Sequence, residues 1–387
     1  MEKNENIVTN ANKSGHEKRN VPTLRFPNYS GEWRVSPMGK ICTFHKGYGI
    51  SKDNLSSEGV PCVLYGELYT KYKTANAKHI RSKTKLDPTT LFHSEKNDVI
   101  IPCSGETAED IATSVCIPYD DVLLGGDLTV IRSELDGAFL SNQINSVRKF
   151  DIARVAQGKS IVHLHADELK KIIISYPSKE EQQKIACFID KLDDRIECQN
   201  KIISKYETLI KGLCDRVFRH NKSIRLSDLV KCRTSTLQEN DIVKYCDGEY
   251  KVFGASGVIA TVDKYQFDGN GILVLKDGSN AGKVQFASGK YSVIGTSVVL
   301  IPNDVNDAKF LYFALLAVDF DKYKVGSGIP HIYFKDYSNE QIYYPAATLR
   351  ERIIKTLNCY ETKVEIEKEM LSALQKQKTF LLQSMFI

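Results

Sequence analysis

Between Ser178 and Phe218 apolar residues return at alternating steps of four and three. They are Ile185, Ile189, Leu192, Ile196, Ile203, Tyr206, Ile210, Leu213 and Val217, with polar Gln199 completing the rhythm. Steps of this kind make a heptad seam, narrower than the apolar stripe of an ordinary surface helix. The spacing predicts one helix over about 178–218, roughly 60 Å long at 1.5 Å per residue. Ser178 followed by Glu181 is the signature of a capping box at its start. The pattern then returns 168 residues later without a gap, as Ile353, Leu357, Tyr360, Val364, Leu371, Leu374, Lys378, Leu381 and Met385. It predicts a second helix over about 346–386. Each copy opens on a related tetrad, Ile174-Ser175-Tyr176-Pro177 and Ile342-Tyr343-Tyr344-Pro345.

The segments before the helices alternate short apolar runs with turns. In the first block the runs are Pro61–Tyr65, Val99–Pro102 and Leu128–Ile131, followed by a helical stretch over about Gly137–Arg148. In the second they are Ile272–Leu275, Lys283–Phe286 and Ser297–Ile301, followed by a helical stretch over Ala308–Val318. Asp277-Gly278-Ser279-Asn280 and Ser288-Gly289 supply turn chemistry between them. The blocks also repeat, more weakly. Gly158-Lys159-Ser160-Ile161-Val162-His163 precedes Gly326-Ser327-Gly328-Ile329-Pro330-His331 by 168 residues, whereas Leu64-Tyr65-Gly66 resembles Val252-Phe253-Gly254 at an offset of 188. The duplication is tight at the helices and loosened within the blocks, too long in period for a solenoid. The expected organisation is α+β: a flexible leader over 1–20, globular blocks over 21–177 and 221–345, and helices over 178–220 and 346–387. Such a chain is built as a fused dimer. Equivalent blocks related by a dyad make their helices antiparallel. Full overlap then sets the midpoints near 198 and 366 opposite each other, where Gln199 and Glu367 form the polar layer common to both seams. Ile189, Leu192, Ile196, Gln199 and Ile203 on the first helix, with Leu357, Tyr360, Val364, Glu367 and Leu371 on the second, are the expected seam residues. A polar layer weakens such a pairing but fixes its register.

Composition narrows the possibilities little. The 387 residues are 42% hydrophobic and 26% charged, as in an ordinary globular protein. No apolar run approaches the roughly 18 residues that span a bilayer, and the polar first 20 residues lack a signal-peptide core. Ten cysteines are scattered with no CxxC pair, so a reduced, cytoplasmic protein without a zinc site is expected. The net charge of +5 is modest, and 21–177 and 223–345 hold 19 basic against 18 acidic and 13 against 14 side chains. One stretch departs from this balance: Lys71, Lys73, Lys78, Arg81, Lys83 and Lys85 lie within 15 acid-free residues, beside Tyr69 and Tyr72. Cations with adjacent aromatics suit a phosphate-tracking loop, and equally a solvated basic loop.

Catalytic signatures are missing from the sequence. Gly278-Ser279-Asn280-Ala281-Gly282-Lys283-Val284 has three residues between its glycines and no Ser/Thr after the lysine, so it reads as a hairpin turn presenting Lys283 rather than a phosphate loop. There is no GxGxxG, HExxH or GxSxG, and no Asn/Asp-Pro-Pro-Tyr/Phe grip for a flipped base. His163 and His165, without a nearby cysteine pair or carboxylate, read as structural. Binding remains. Tyr69, Lys71, Lys73, Arg81, Lys83 and Lys159 in the first block, with Lys276, Ser279, Asn280, Lys283 and Ser327 in the second, are the candidate DNA-contacting residues.

Three segments resemble the specificity subunit of type I restriction–modification systems. They are Leu24-Arg25-Phe26-Pro27 with Gly31-Glu32-Trp33 and Tyr65–Thr70; Tyr250–Gly257 through Gly278–Val284; and the Tyr176-Pro177 motif with Glu181-Gln182, Lys184-Ile185, Asp190, Asp194 and Ile196. The second spacer departs from the pattern, with Thr348-Leu349-Arg350 where the first has Glu180-Glu181-Gln182. The resemblance implies two target-recognition domains, each reading half of a bipartite sequence in double-stranded DNA. It also implies an antiparallel helical spacer that docks two methyltransferase subunits, and restriction/translocase subunits beyond them. S-adenosylmethionine, Mg2+ and ATP would then belong to those partners, with no cofactor on this chain. The residues alone leave open an enzyme with an unrecognised site, or an adaptor whose twin domains bind protein or glycan.

Overall fold

The computed structural model describes residues 20–158, 162–219, 223–242, 248–326 and 328–387. Two compact units are present: Met1–Cys198 with Leu371–Ile387, and Gln199–Met370. The division passes through both long helices, so each unit holds one globular block and parts of two helices.

In the first unit a four-stranded antiparallel sheet has the order Cys42–Lys46, Leu128–Ser133, Asp98–Pro102, Val115–Ile117. Successive strand residues point to opposite faces, and both faces are covered. Val99, Ile101 and Ile131 pack on one side with Phe139, Ile185, Ile189, Leu381, Met385 and Phe386. Ile100, Leu128 and Val130 pack on the other with Val63, Leu68 and Leu124. Asp98–Pro102 is therefore buried throughout, which explains its unbroken apolar run. A second sheet lies on that other side, in the order Leu55–Ser56, Ser82–Thr84, Val60–Val63, Leu123–Leu124. The helix after the first sheet is Gly137–Asn145, started by the Asp136 carboxylate accepting from Phe139 N at 2.9 Å. It stops short of the expected Arg148 because Ser146 leaves helical geometry and turns its hydroxyl back to Asn142 O at 2.6 Å. Gly137 fits because a Cβ there would lie 2.4 Å from Asn97 O.

The second unit repeats the plan. Its sheets have the orders Val230–Thr234, Ser297–Pro302, Gly271–Leu275, Val284–Ala287 and Gly257–Val262, Tyr250–Gly254, Lys290–Val293, Phe267–Asp268. Each unit's second sheet contains one parallel pair, Val60–Val63 with Leu123–Leu124 and Tyr250–Gly254 with Lys290–Val293. Strand pairing measures the drift between copies. Ser36 pairs with Ile174 in the first unit and Ile224 with Ile342 in the second, so the opening strand is displaced by 188 and the closing strand by 168. The second copy is 20 residues shorter between them. Much of that difference lies at one connection: residues 64–81 join Val60–Val63 to its antiparallel neighbour, whereas 255–256 suffice in the second unit.

The long helices are Lys179–Phe218 and Ala347–Met385, within a residue of the expected limits at each end. In both units they run antiparallel. In the first, Lys378 reaches Asp193 at 2.5 Å while Met385 packs in the cluster of Ile185. In the second, Gln199 meets Glu367 and the Tyr206 ring lies 5.9 Å from Lys363 Nζ. The expected capping box is only half formed. Glu181 N donates to Ser178 Oγ at 3.4 Å, but the Glu181 carboxylate does not turn back; it takes both arms of Arg25 at 2.7 Å. At 1% exposure, the charge is better balanced by a bidentate guanidinium than by one backbone N–H.

Candidate nucleic-acid interface

The basic stretch of the first block occupies the long connection 64–81 and the strand that follows it. Its six cations divide into two groups. Lys71 is tied to the buried Glu67 at 2.5 Å, Lys78 to Asp194 at 2.5 Å, and Lys85 to Glu58 at 3.2 Å. Lys73, Arg81 and Lys83 are exposed and pair with no acid among the described residues. Among the described residues, the phosphate-tracking expectation thus has three cations without an ion pair to rest on rather than six. Glu67 also accepts from Leu64 N at 3.1 Å and from Ser82 Oγ, so Lys71 completes a local network and balances a buried carboxylate. Tyr69 is half-buried, and burial, with Tyr65, Glu106 and Asp110 nearby, raises its pKa. The neighbouring Tyr72 is buried, and its hydroxyl accepts from Arg81 N at 3.1 Å.

Two side chains fasten this connection to the first long helix. Asn76 Nδ2 donates to Asp190 Oδ2 at 2.7 Å, and Lys78 joins Asp194. Asp190 and Asp194 stand four apart on one helical face, which is why both reach the same loop. Nothing in the spacing of residues 76 and 190 foretold the bond, since it spans 114 positions.

In the second block Lys283 is exposed at the turn between paired strands, its Nζ donating to Ala255 O at 3.2 Å. Ser279 and Asn280 are exposed on the same turn, closed by Lys283 N to Asn280 O at 3.0 Å and Gly282 N to Leu275 O at 2.7 Å. A hairpin turn is what the sequence suggests here. Gly282 has φ +92°, and a Cβ would lie 2.4 Å from Phe320 Cβ. Lys276 is paired with Asp277 at 2.6 Å. Asp277 also accepts from His331 Nδ1 at 2.8 Å. Burial opposes the effect, but these two hydrogen bonds hold the Asp277 carboxyl below its usual range. Lys159 and Ser327 lie outside the described residues.

The two repeated histidines are equivalent in place. His163 pairs reciprocally with Gln157, and His331 with Val325, each partner displaced by 168 like the histidines themselves. His163 Nδ1 lies 3.3 Å from Ser104 Oγ, where His331 has Asp277. Both therefore pin a loop to a strand end. Among the described residues, no group of three His, Cys, Asp or Glu is arranged to hold a metal ion, and no helix is long and apolar enough to cross a membrane.

Along the paired helices, Ile189, Ile203, Leu357 and Val364 are buried, and Leu192, Ile196, Tyr360 and Leu371 half-buried. Gln199 Nε2 donates to Glu367 O at 3.0 Å and to the Glu367 carboxylate, so the polar layer closes on itself. The seam's other polar position, Lys378, is matched by Asp193, a residue the heptad pattern does not single out.

The helix starts are rebuilt with different chemistry. Gln182 donates to Pro177 O at 2.9 Å and accepts from Asp136 N at 2.9 Å. Arg350, at the equivalent place, donates to Pro345 O at 2.7 Å and to the Asp307 carboxylate at 2.7 Å. The departure at Thr348-Leu349-Arg350 therefore keeps the joint between block and helix while changing its charge.

The model for the type I restriction modification DNA specificity domain matches twice, over residues 30–208 and 219–376. The specificity subunit of the type I restriction enzyme MjaVIII of Methanocaldococcus jannaschii is 30% identical over 121 residues. That match covers 30% of this chain and 28% of the relative, so the chain spans little more than a quarter of that relative's length in the match. The crystal structure of a type I restriction–modification S subunit from M. genitalium is similar in fold, with a TM-score of 0.62 and 18% identity over 95% of this chain and 99% of that one. A chain from a structural study of complex assembly and conformational transition in a type I system gives 0.54 and 15% identity, over 90% and 96%. With two family domains matched in order and the same architecture beneath them, the chain belongs to the type I restriction–modification DNA specificity family.

Proposed function

We propose that this chain is the non-catalytic DNA-reading subunit of a type I restriction–modification complex. Each block takes one half of a bipartite sequence in double-stranded DNA. The long helices set the distance between the halves and dock two methyltransferase subunits, with restriction/translocase subunits beyond. S-adenosylmethionine, Mg2+ and ATP act on those partners. The observation that carries this reading is the duplication of a whole block-and-helix unit, with antiparallel helices and a shared polar layer at Gln199 and Glu367. A bipartite target needs two readers at a fixed distance, and a helix pair with a fixed register provides one. Exposed cations at Lys73, Arg81, Lys83 and Lys283, paired with no acid among the described residues, support contact with phosphates. Candidate site residues thus serve binding rather than chemistry.

The test is co-expression with the cognate methyltransferase subunits, followed by mapping of methylated bases in host DNA. A gapped two-part motif that vanishes when this chain is deleted is the expected result. Methylation that persists without the chain, or an ungapped motif, contradicts it. Turnover of S-adenosylmethionine by the homogeneous chain alone would place the protein among enzymes instead.

A further inference from the structure

The first block has a cleft of about 840 Å³ between the loop Lys46–Lys52 and the segment Leu64–Lys71. Its loop is held from behind. Gly47 N donates to Leu128 O at 3.0 Å and Tyr48 N to Leu124 O at 3.2 Å. The buried Ile50 packs with Leu64, Leu91 and Leu123. Gly47 permits this close seat, since a Cβ there would lie 2.3 Å from Gly125 O. On so fixed a backbone the Tyr48 side chain nevertheless stands 52% exposed. The Tyr48 ring meets the Phe92 ring edge to face, with centroids 6.4 Å apart, so folding secures the aromatic on one side and leaves its other side in water. Lys46 and Lys52 flank it, both exposed and paired with no acid among the described residues.

The floor of the cleft offers little to a small polar ligand. Its buried carboxylate, Glu67, is already satisfied by Lys71, Ser82 and Leu64 N. What remains free is the rim, a rigid aromatic between two cations. That combination suits a polyanion bearing bases: lysines take phosphates and set position, and the aromatic meets the bases. Among the described residues, the equivalent loop of the second block has no counterpart. By strand pairing Lys46 corresponds to Thr234, so Ser235 and Thr236 stand where Gly47 and Tyr48 do. The long connection 64–81, which supplies the other wall, is likewise reduced to two residues there.

We propose that the first block reads its half-site at this rim, with Tyr48 as a specificity-determining residue and Lys46 and Lys52 as its phosphate contacts. The second block, lacking the rim, reads its half by another surface. This assignment rests on the DNA-reading function proposed above.

The experiment uses the full chain assembled with its methyltransferase subunits. Its duplexes carry both half-sites, or one half-site with the other scrambled. Tyr48→Ala is expected to lose about tenfold in affinity for one half-site and to relax the methylated motif there, leaving the other half unchanged. The double variant Lys46→Ala/Lys52→Ala should weaken all duplexes alike, with a salt slope shallower by about two. A folded Tyr48→Ala complex with wild-type affinity and motif overturns the proposal, as does equal loss at both halves. A wild-type complex that prefers neither half-site refutes the DNA-reading function itself.

Discussion

Arg350 and Gln182 show how a single position can keep its place in the fold while its chemistry changes. Asp307, beneath Arg350, is 4% exposed and also accepts from the Tyr344 hydroxyl. Removing the guanidinium strands one carboxylate oxygen, whereas glutamine, native to the other copy, still offers an amide donor. Arg350→Ala should therefore cost about 2–3 kcal/mol in urea unfolding, and Arg350→Gln about half of that. Equal losses would mean that the hydrogen bonds of residue 350 contribute nothing beyond packing. The same reasoning separates the cations of the first block. Lys73→Ala, Arg81→Ala and Lys83→Ala should each weaken DNA binding nearly equally across sequences, with a salt slope smaller by about one. Lys71→Ala should act through Glu67, as lost stability. Unchanged affinity in the triple variant of the free cations would make them solvated surface only. Sequence alone put Lys71 on one footing with Lys73, Arg81 and Lys83, because the burial of Glu67, which Lys71 answers, is decided only by the packing around it.

The helices carry their own internal test. Asp193 is 7% exposed and answered by Lys378, yet 168 positions before Lys378 the first helix has Ile210. Lys378→Ile therefore imports the residue of the other copy and leaves a buried carboxylate without its cation. The expected loss is about 3 kcal/mol at pH 7, and Asp193→Leu added to it should recover most of that loss. Burial already raises the Asp193 carboxyl above its usual range, with Lys378 opposing. Without Lys378 the folded state holds its proton to higher pH than the unfolded chain does. The penalty should then be largest at pH 7 and shrink as pH falls towards the ordinary carboxylate range. Urea midpoints at pH 7 and pH 5 check this, and a penalty that grows on acidification contradicts it. The heptad rhythm revealed both helices to within a residue, because their apolar face follows one local period along 40 and 39 residues. It could not reveal Asp193, which lies off the seam and is buried only by what packs on it.

The molecule as a whole is a repeated unit whose helices are proposed to measure DNA. One heptad inserted after Gln199 and another after Glu367 preserves the seam and lengthens the pair by about 10 Å. At 3.4 Å per base pair, that is about three base pairs. The methylated half-sites should stay the same while the gap between them grows, with some loss of activity because added twist turns one block about the DNA. An unchanged gap in a protein that still folds and methylates would show that the helices do not set the spacing. The α+β class, the duplication, both helices, the polar layer of Gln199 with Glu367 and most core strands could be read from the chain, since each rests on a period or a repeat that neighbouring residues carry themselves. The pairing of Arg25 with Glu181, the fastening of the 64–81 connection to Asp190 and Asp194, and the exposure of Tyr48 on a rigid loop could not. Those depend on which distant segments meet and which groups remain in water, and that is settled only when the sheets and helices pack together.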